Sequence, residues 1–232
     1  MKYLLVLICC LPTLLTSGCS LRVLDPASKT ASAQSDLIYF SFFLMLVVLL
    51  IVFSLFAHFI RKYRAGNSAH STYNYPDDNR RLELLWTILP IILLTILAVP
   101  TVIVTYQQSP NQYVSTEKQQ EDQVHIQVTA ERYSWQFRYE NGETSTNNLY
   151  LPSNQEVVFH LQSNDVIHSF WIPSLGGKVD VLPDQENSLT IADMEEGVYQ
   201  GKCAEFCGIE HSRMRFTAHV LSAQAFQHWL NQ

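Results

Sequence analysis

The sequence has little charge, few cysteines and no motif for covalent haem. Charged residues make up 16% of the chain, and its net charge of −6 leaves no basic excess, so no nucleic-acid partner is expected. Only Cys203 and Cys207 of the 5 cysteines lie beyond residue 19. No Cys-x-x-Cys-His run is present, which excludes a c-type haem attached to this chain through that motif.

The N-terminus has the pattern of a signal peptide. Lys2 precedes an apolar run over residues 3–15, and Thr16-Ser-Gly then leads to Cys19. Small residues before a cysteine are typical of lipoprotein cleavage, so residues 1–18 are predicted to be removed and Cys19 to carry lipid. The alternative is an uncleaved anchor, but the run is shorter than the ~20 residues that a membrane span needs. Residues 19–36 are then a polar linker.

Two long apolar segments follow, at residues 37–60 and 84–106, and each is long enough to cross a membrane. The connecting loop is rich in basic residues from Arg61 to Arg81, so the positive-inside rule places it in the cytoplasm. Residues 37–106 are therefore predicted to be a transmembrane hairpin in a bacterial plasma membrane, with the C-terminal part on the outer face. Prolines in the second segment indicate a partner in the membrane, because neighbouring helices can satisfy the freed backbone groups.

From residue 121 to residue 232 the composition changes to short alternating runs separated by Gly, Pro and Asn. Alternation with a period of two is typical of half-buried strands. Ser222 is expected to cap a short terminal helix. Strands are predicted at residues 124–128, 135–139, 157–161, 178–182, 188–191 and 215–220. Such spacing indicates a β-sandwich or barrel.

A set of soft metal ligands lies within residues 203–214. Cys203 and Cys207 are four positions apart, and His211 and Met214 follow them. Thiolate, imidazole and thioether are the ligands of copper in electron-transfer centres, whereas zinc rarely recruits methionine. A single-copper centre uses one Cys, so a second metal ion is the simplest explanation of the second. Without His211 and Met214, the two cysteines would be interpreted as buried thiols of the hydrophobic core.

One further ligand is expected from an earlier strand. His168 stands at the start of the apolar run 168–173, from which a sheet can bring it beside the Cys loop. An early histidine with the remaining ligands on a late loop is the usual layout of a cupredoxin. The predicted fold class is an α+β membrane protein, in which a two-helix transmembrane hairpin precedes an exported cupredoxin-like β-sandwich or barrel.

With these motifs the sequence resembles subunit II of the haem–copper respiratory oxidases, in the cytochrome c oxidase branch that carries a dinuclear CuA centre. The resemblance covers the hairpin, the run Leu82-Glu-Leu-Leu-Trp-Thr-Ile-Leu-Pro90 and the copper loop. It implies that both cysteines bridge two copper ions, whereas the quinol-oxidase branch lacks these thiolates. The implied ligands are Cys203, Cys207, His168, Met214, His211 and the backbone carbonyl of Glu205.

The resemblance also gives roles to two acidic residues. Glu83, just before the second span, would lie at the entrance of a proton path into the catalytic subunit. A side chain that simply reaches water at the membrane edge is the alternative. The carboxylate of Glu205 would contribute to a magnesium site at the interface with subunit I, where Mg²⁺ keeps waters and other ligands.

Tyr133 and Trp135 are the expected first acceptors of electrons. The family commonly has Gln-Trp-x-Trp in this aromatic stretch, and its first Trp receives the electrons. Here Tyr133 takes that place and Trp135 is retained. Phe206, Phe170 and Trp171 are expected to form an apolar shell that limits solvent access to the metal, with ordinary core packing as the alternative.

The exported region is acidic, with 15 Asp and Glu against 6 Lys and Arg from Glu121 onward. A negative surface would steer a basic c-type cytochrome, and Asp165 and Asp180 lie nearest the predicted copper face. Acidity that only keeps the domain soluble is the alternative. The remaining histidines of this region have no other metal-ligand residues near them in the sequence and are expected to be structural or surface residues: His125, His160, His219 and His228.

The sequence therefore predicts the electron-accepting subunit of a cytochrome c oxidase complex. It would pass electrons from a c-type cytochrome, on a separate protein or another domain of the complex, to haem in subunit I. There oxygen is reduced to water with coupled proton transfer, and subunit III is a further expected partner. A membrane-anchored copper-binding or copper-delivery protein is the alternative, although such sites usually hold one exchangeable ion. A quinol-oxidase subunit without metal conflicts with the intact ligand set.

Overall fold

The computed structural model describes residues 21–64, 78–108 and 123–231. The predicted signal peptide and Cys19, the predicted site of lipidation, lie outside the described residues. Most of the loop that connects the two predicted spans also lies outside the described residues, as does residue 121, where the exported region is predicted to begin.

Two long apolar helices precede the β domain. Helix α1 spans Lys29–Tyr63 and helix α2 spans Arg80–Gln107. Both are long and apolar enough to cross a membrane. The hydroxyl of Ser28 caps α1 by accepting a 3.0 Å hydrogen bond from the Ala31 N–H, and the Asn79 side chain caps α2.

Helix α1 begins at Lys29 rather than at residue 37, so part of the predicted linker is helical. Contacts with the β domain explain the earlier start. The Ala27 N–H donates to the Ser174 carbonyl at 2.7 Å, and Ala31 and Ser35 are buried. The helix therefore begins where the chain leaves the β domain and not where hydropathy rises.

The two ends of the helical hairpin differ in charge. Near the start of α1 the Gln34 amide donates to Gln108 Oε1 at 2.8 Å, just after the end of α2. The opposite end is basic, with Arg61 and Lys62 in the last turn of α1 and Arg80 at the start of α2. The β domain thus lies at the end remote from the basic residues, as the positive-inside rule requires for an exported domain.

The exported part is a sandwich of two five-stranded sheets. Its strands, within the described residues, are β1 (Val124–Glu131), β2 (Ser134–Tyr139), β3 (Thr144–Thr146), β4 (Asn148–Pro152), β5 (Val157–Ser163), β6 (His168–Trp171), β7 (Val179–Val181), β8 (Asn187–Ile191), β9 (Gly197–Cys203) and β10 (Arg215–Leu221). The first sheet has the order β3-β2-β1-β5-β8 and the second the order β4-β10-β9-β6-β7. Helix α3 (Ala223–Leu230) follows β10 and is capped by Ser222. The predicted hairpin and β-sandwich are confirmed.

An aromatic cluster fills the space between the sheets beside His168. The rings of Trp135 and Phe170 lie 5.5 Å apart, and those of Phe170 and Phe216 lie 5.0 Å apart. Trp135 also contacts the His168 ring at 6.2 Å. Because Trp135 is on β2 and Phe170 on β6, these contacts join the two sheets and hold β6, with its histidine, in one position.

Candidate metal centre

Backbone pairing brings the two predicted ligand segments together. Strand β6 carries His168 and pairs antiparallel with β9, in a register that places Phe170 opposite Cys203. The Ala204 N–H extends this pairing by donating to the Ser169 carbonyl at 2.9 Å. The loop after β9 then returns through a 3-10 helix (His211–Arg213) to β10. The early histidine and the late loop therefore meet at one end of the second sheet.

The ligand atoms form one compact group around the two thiols. The sulfur atoms of Cys203 and Cys207 lie 3.9 Å apart, and both thiols are free and buried. His168 Nδ1 lies 3.8 Å from Cys203 Sγ, and His211 Nδ1 lies 3.5 Å from Cys207 Sγ. The Met214 sulfur is fully buried, 3.8 Å from Cys207 Sγ. All five side chains that the sequence predicted as ligands thus lie together.

These residues suit a soft metal. One donor atom each from His168, Cys203 and Cys207 lie within 4.8 Å of one another. The backbone carbonyl of Glu205 lies 3.2 Å from Cys203 Sγ, which is the place expected for a carbonyl ligand. Two thiols, two imidazoles and a thioether match the preference of copper. The donor chemistry therefore fits the copper that the sequence predicted.

Asp165, held in place by Arg132, fixes the orientation of His168 in a way that the sequence did not predict. The Asp165 carboxylate lies 2.8 Å from His168 Nε2, the ring nitrogen that faces away from Cys203. Arg132 donates to Asp165 from its backbone N–H at 3.0 Å and from its Nε at 2.9 Å. A carboxylate of this kind holds the ring so that the other nitrogen is free for a metal. The three-residue spacing of Asp165 and His168 was the only signal in the sequence.

The two thiols differ in acidity. Burial opposes ionisation of Cys203, but hydrogen bonds with His168 and with the backbone outweigh it and lower the pKa of Cys203. Burial and the nearby charge of Cys203 raise the pKa of Cys207. Of the two thiols, Cys203 is therefore the first to lose its proton in the metal-free site, and metal binding must displace the proton of Cys207.

The aromatic residues near the site occupy different environments from one another. Trp135 is fully buried, whereas Tyr133 is half-buried and its hydroxyl lies beside Gly208, directly after Cys207. Phe170 is buried, as expected for a residue of the apolar shell. Phe206 is 76% exposed and instead forms part of the surface beside His211.

The two acids with roles implied by the resemblance lie in different parts of the molecule. Glu205 is exposed on the metal-binding loop, and its backbone carbonyl faces Cys203. Glu83 is exposed in the first turn of α2, among the basic residues at the far end of the hairpin. An acid in a first turn also interacts favourably with the helix dipole. Glu83 therefore belongs to the membrane edge and not to the metal centre.

The fold and the site together define a membrane-anchored cupredoxin with two thiols in its candidate metal centre. Two family models match the chain: cytochrome c oxidase subunit II, transmembrane domain, over residues 17–104, and cytochrome c oxidase subunit II, periplasmic domain, over residues 136–221. The chain belongs to the cytochrome c oxidase subunit II family.

Individual relatives agree with the family models. The chain is 37% identical over 226 residues to cytochrome c oxidase subunit 2 of Alkalihalophilus pseudofirmus, which covers 94% of this chain and 65% of that protein. It is 36% identical over 240 residues to the same subunit of Bacillus subtilis, covering 98% of this chain and 67% of that protein. A probable quinol oxidase subunit 2 of Staphylococcus saprophyticus is 36% identical over 221 residues, covering 94% and 57%. The chain thus spans about two thirds of the length of these two cytochrome c oxidase relatives.

Proposed function

We propose that this chain is the electron-accepting subunit of a respiratory cytochrome c oxidase and that its loop holds a dinuclear copper centre. The observation that carries this proposal is a pair of free, buried thiols 3.9 Å apart, each with its own histidine. Cys203 lies beside His168, and Cys207 lies beside His211. Because a single blue-copper centre uses one thiolate together with two imidazoles, it is the second thiolate that supports a second ion.

The proposed ligands divide between the two ions. Cys203 and Cys207 would bridge them, His168 and Met214 would complete one, and His211 with the Glu205 carbonyl would complete the other. When bound, two copper ions that share two thiolates take up and release one electron with little change in bond lengths.

The chain's own residues hold these donor atoms in fixed positions. Strand β6 is fixed through its pairing with β9 and through the Phe170 ring in the core. Asp165 holds the ring of His168 at 2.8 Å. Both thiols and Met214 are buried, whereas His211 is partly exposed. A rigid ligand set with a buried sulfur core suits a fixed electron carrier better than an exchangeable delivery site.

The ligand set also favours a cytochrome as the electron donor. Overall identity does not separate the donor classes, because the cytochrome oxidase of Bacillus subtilis and a probable quinol oxidase are both 36% identical to this chain. The thiol pair supports a cytochrome donor, because the family resemblance implies that the quinol-oxidase branch lacks these thiolates. The acidic exported surface would attract a basic c-type cytochrome and make its association depend on salt.

Tyr133 is the aromatic residue that we propose as the first acceptor of electrons. It is half-buried and contacts the Cys loop at Gly208, so it lies between the surface and the thiols. Trp135 is fully buried and contacts His168 at a ring distance of 6.2 Å, so it would act behind the surface rather than at it.

The remaining proposed roles concern the oxidase complex. The apolar faces of α1 and α2 would contact subunit I, with subunit III as a further partner, and subunit I would supply the haem that reduces oxygen. Glu83, exposed at the basic end of the hairpin, would lie at the entrance of the proton path. The exposed carboxylate of Glu205 would bind Mg²⁺ together with groups of subunit I and water.

Electron paramagnetic resonance of the copper-loaded chain tests the centre. We expect two coppers per chain and a hyperfine pattern from one electron shared equally between two nuclei. One copper per chain, with the signal of an isolated Cu(II), would contradict the dinuclear assignment and favour the copper-delivery alternative.

Replacement of Cys207 by Ser in the assembled oxidase tests the role. An electron relay predicts loss of cytochrome oxidation, while the complex still assembles and its haem spectrum is kept. Glu210→Gln, on the same loop but outside the ligand set, is the matched control and should oxidise cytochrome normally. Normal oxidation by Cys207→Ser would contradict the relay.

A further inference from the structure

Two histidines that are far apart in the sequence meet on the outer face of the first sheet. His125 Nδ1 lies 3.1 Å from His160 Nε2, and the two rings meet edge to edge with their centroids 5.3 Å apart. His160 Nδ1 in turn lies 2.9 Å from a carboxylate oxygen of Glu186. We propose that His125 and His160 form a second metal site, which takes a borderline divalent cation such as Zn²⁺ and is independent of the thiol centre.

The strands place these side chains on one face. In β1, His125 alternates with the buried Ile126, and in β5, His160 alternates with the buried Phe159 and Leu161. The strands are parallel neighbours, with Gln127 opposite His160. Both histidines therefore point away from the core, and the pair belongs to the first sheet, whereas His168 belongs to the second.

The separation of the two nitrogens suits a shared ion. Imidazole nitrogens bind Zn²⁺ at about 2.0–2.1 Å. Two such nitrogens at an angle of roughly 90–110° are then about 2.9–3.4 Å apart. The observed 3.1 Å lies within this interval, so an ion beside the line that joins the two nitrogens can bind both once the His125 and His160 rings rotate toward it.

Glu186 favours the form of His160 that can bind a metal. A carboxylate accepts a hydrogen bond, so His160 carries its proton on Nδ1 and leaves the lone pair of Nε2 directed at His125. A carboxylate that holds the second nitrogen of a metal-binding histidine is the usual outer partner of such sites.

The recess above the pair has room for an ion and its waters. It has a volume of about 540 Å³ and is open to solvent. Its lining includes the carboxylates of Glu140 and Glu186 and a single positively charged side chain, Arg138. His160 retains 32% of its side-chain exposure, so an ion can reach it. Zn²⁺ would be held by two imidazoles, with water at its other positions, and would tie β1 to β5.

Zinc titration of the full chain in detergent tests this site. Cys203 and Cys207 are replaced by Ser in every sample, so that Zn²⁺ cannot bind the thiols. We expect one Zn²⁺ per chain and a higher melting temperature of the β domain when Zn²⁺ is added, because the ion binds only the folded form. His125→Asn and His160→Asn should each lose this binding, and Glu186→Gln should weaken it by about 10–100-fold.

His219→Asn is the matched control, because His219 is also partly exposed on a strand but stacks on Tyr150 instead of another histidine. This variant should bind Zn²⁺ as tightly as its parent. Unchanged zinc binding in both His125→Asn and His160→Asn, or no zinc binding by the parent, would overturn the proposal.

A second measurement uses the native, copper-loaded chain and needs no variant. Zn²⁺ should protect His125 and His160 from diethyl pyrocarbonate, with the modified positions identified by mass spectrometry, while His219 stays reactive. Equal modification of His125 and His160 with and without Zn²⁺ would contradict the site even if a variant failed to fold.

Discussion

The carboxylate of Asp165 lies 2.8 Å from His168 Nε2, on the side of the imidazole that faces away from Cys203. Two hydrogen bonds from Arg132 hold this carboxylate in place. Asp165 is therefore engaged with a proposed metal ligand and is not a free acid for attracting a donor. Asp180, which is half-exposed and lies 3.9 Å from Lys178, remains a surface charge.

Replacement of Asp165 by Asn should weaken copper binding without removing a ligand. Asn cannot match the charged acceptor that orients the His168 ring, and loss of such a partner typically costs about 10–100-fold in metal affinity. Competition with a copper chelator measures the change. Asp180→Asn is the control and should hold copper as tightly as the native chain, and equal affinity in Asp165→Asn would contradict the orienting role.

Asp165 should also give the metal-free chain an acid-sensitive stability. Burial disfavours its charge, but hydrogen bonds with His168 and Arg132 outweigh burial and hold the pKa of Asp165 below its ordinary value. Because the folded pKa lies below the unfolded one, this stability is present above about pH 4 and is lost as the pH falls through the folded pKa. We expect the urea midpoint of the β domain to fall more steeply below pH 4 in the native chain than in Asp165→Asn. Parallel pH profiles would contradict this linkage.

The two thiols of the metal-free chain should ionise in order. The pKa of Cys203 is lowered and that of Cys207 is raised, in part by the charge on Cys203. Alkylation of the metal-free chain, followed by mass spectrometry against pH, should modify Cys203 at lower pH than Cys207. In Cys203→Ser the charge is absent, so Cys207 should react at lower pH than it does in the native chain. Simultaneous alkylation of both thiols would contradict this order.

Gly201 is needed for close approach of β9 to the core. A Cβ placed on Gly201 would lie 2.1 Å from the ring of Phe216, which stacks on Phe170. Gly201→Ala should therefore lower the free energy of unfolding by about 1–3 kcal/mol, as for other overpacked cores. Denaturant unfolding monitored by near-ultraviolet circular dichroism measures this loss. The addition of Phe216→Leu should recover part of it, and strictly additive losses would contradict a direct clash.

Tyr133 should control the transfer of electrons into the centre without affecting the metal itself. Tyr133→Ala removes the ring beside Gly208 and should slow reduction of copper by a c-type cytochrome in stopped-flow experiments. The copper content and paramagnetic spectrum should stay native, because Tyr133 is not a ligand. Tyr133→Phe keeps the ring and is the control. Equal rates for the Ala variant and the native chain would show that electrons arrive elsewhere.

Some strands could be predicted from the sequence and others could not. The runs that alternate regularly were predicted close to their final positions, such as 157–161 for Val157–Ser163. Strand β9, Gly197–Cys203, escaped prediction because glycine and exposed polar residues break its pattern. Its pairing with β10 and β6 makes it a strand, and those partners are distant in the sequence.

The sequence by itself determined the two membrane helices, the alternating strands and the candidate copper ligands. Apolar length, period and ligand type are local properties, so they can be recognised without a fold. Only the tertiary structure decided that Asp165 orients His168, that Phe206 is exposed, and that His125 meets His160. Those relations depend on strand register and on which face each side chain occupies, because a shift of one residue moves every side chain of a strand to the other face.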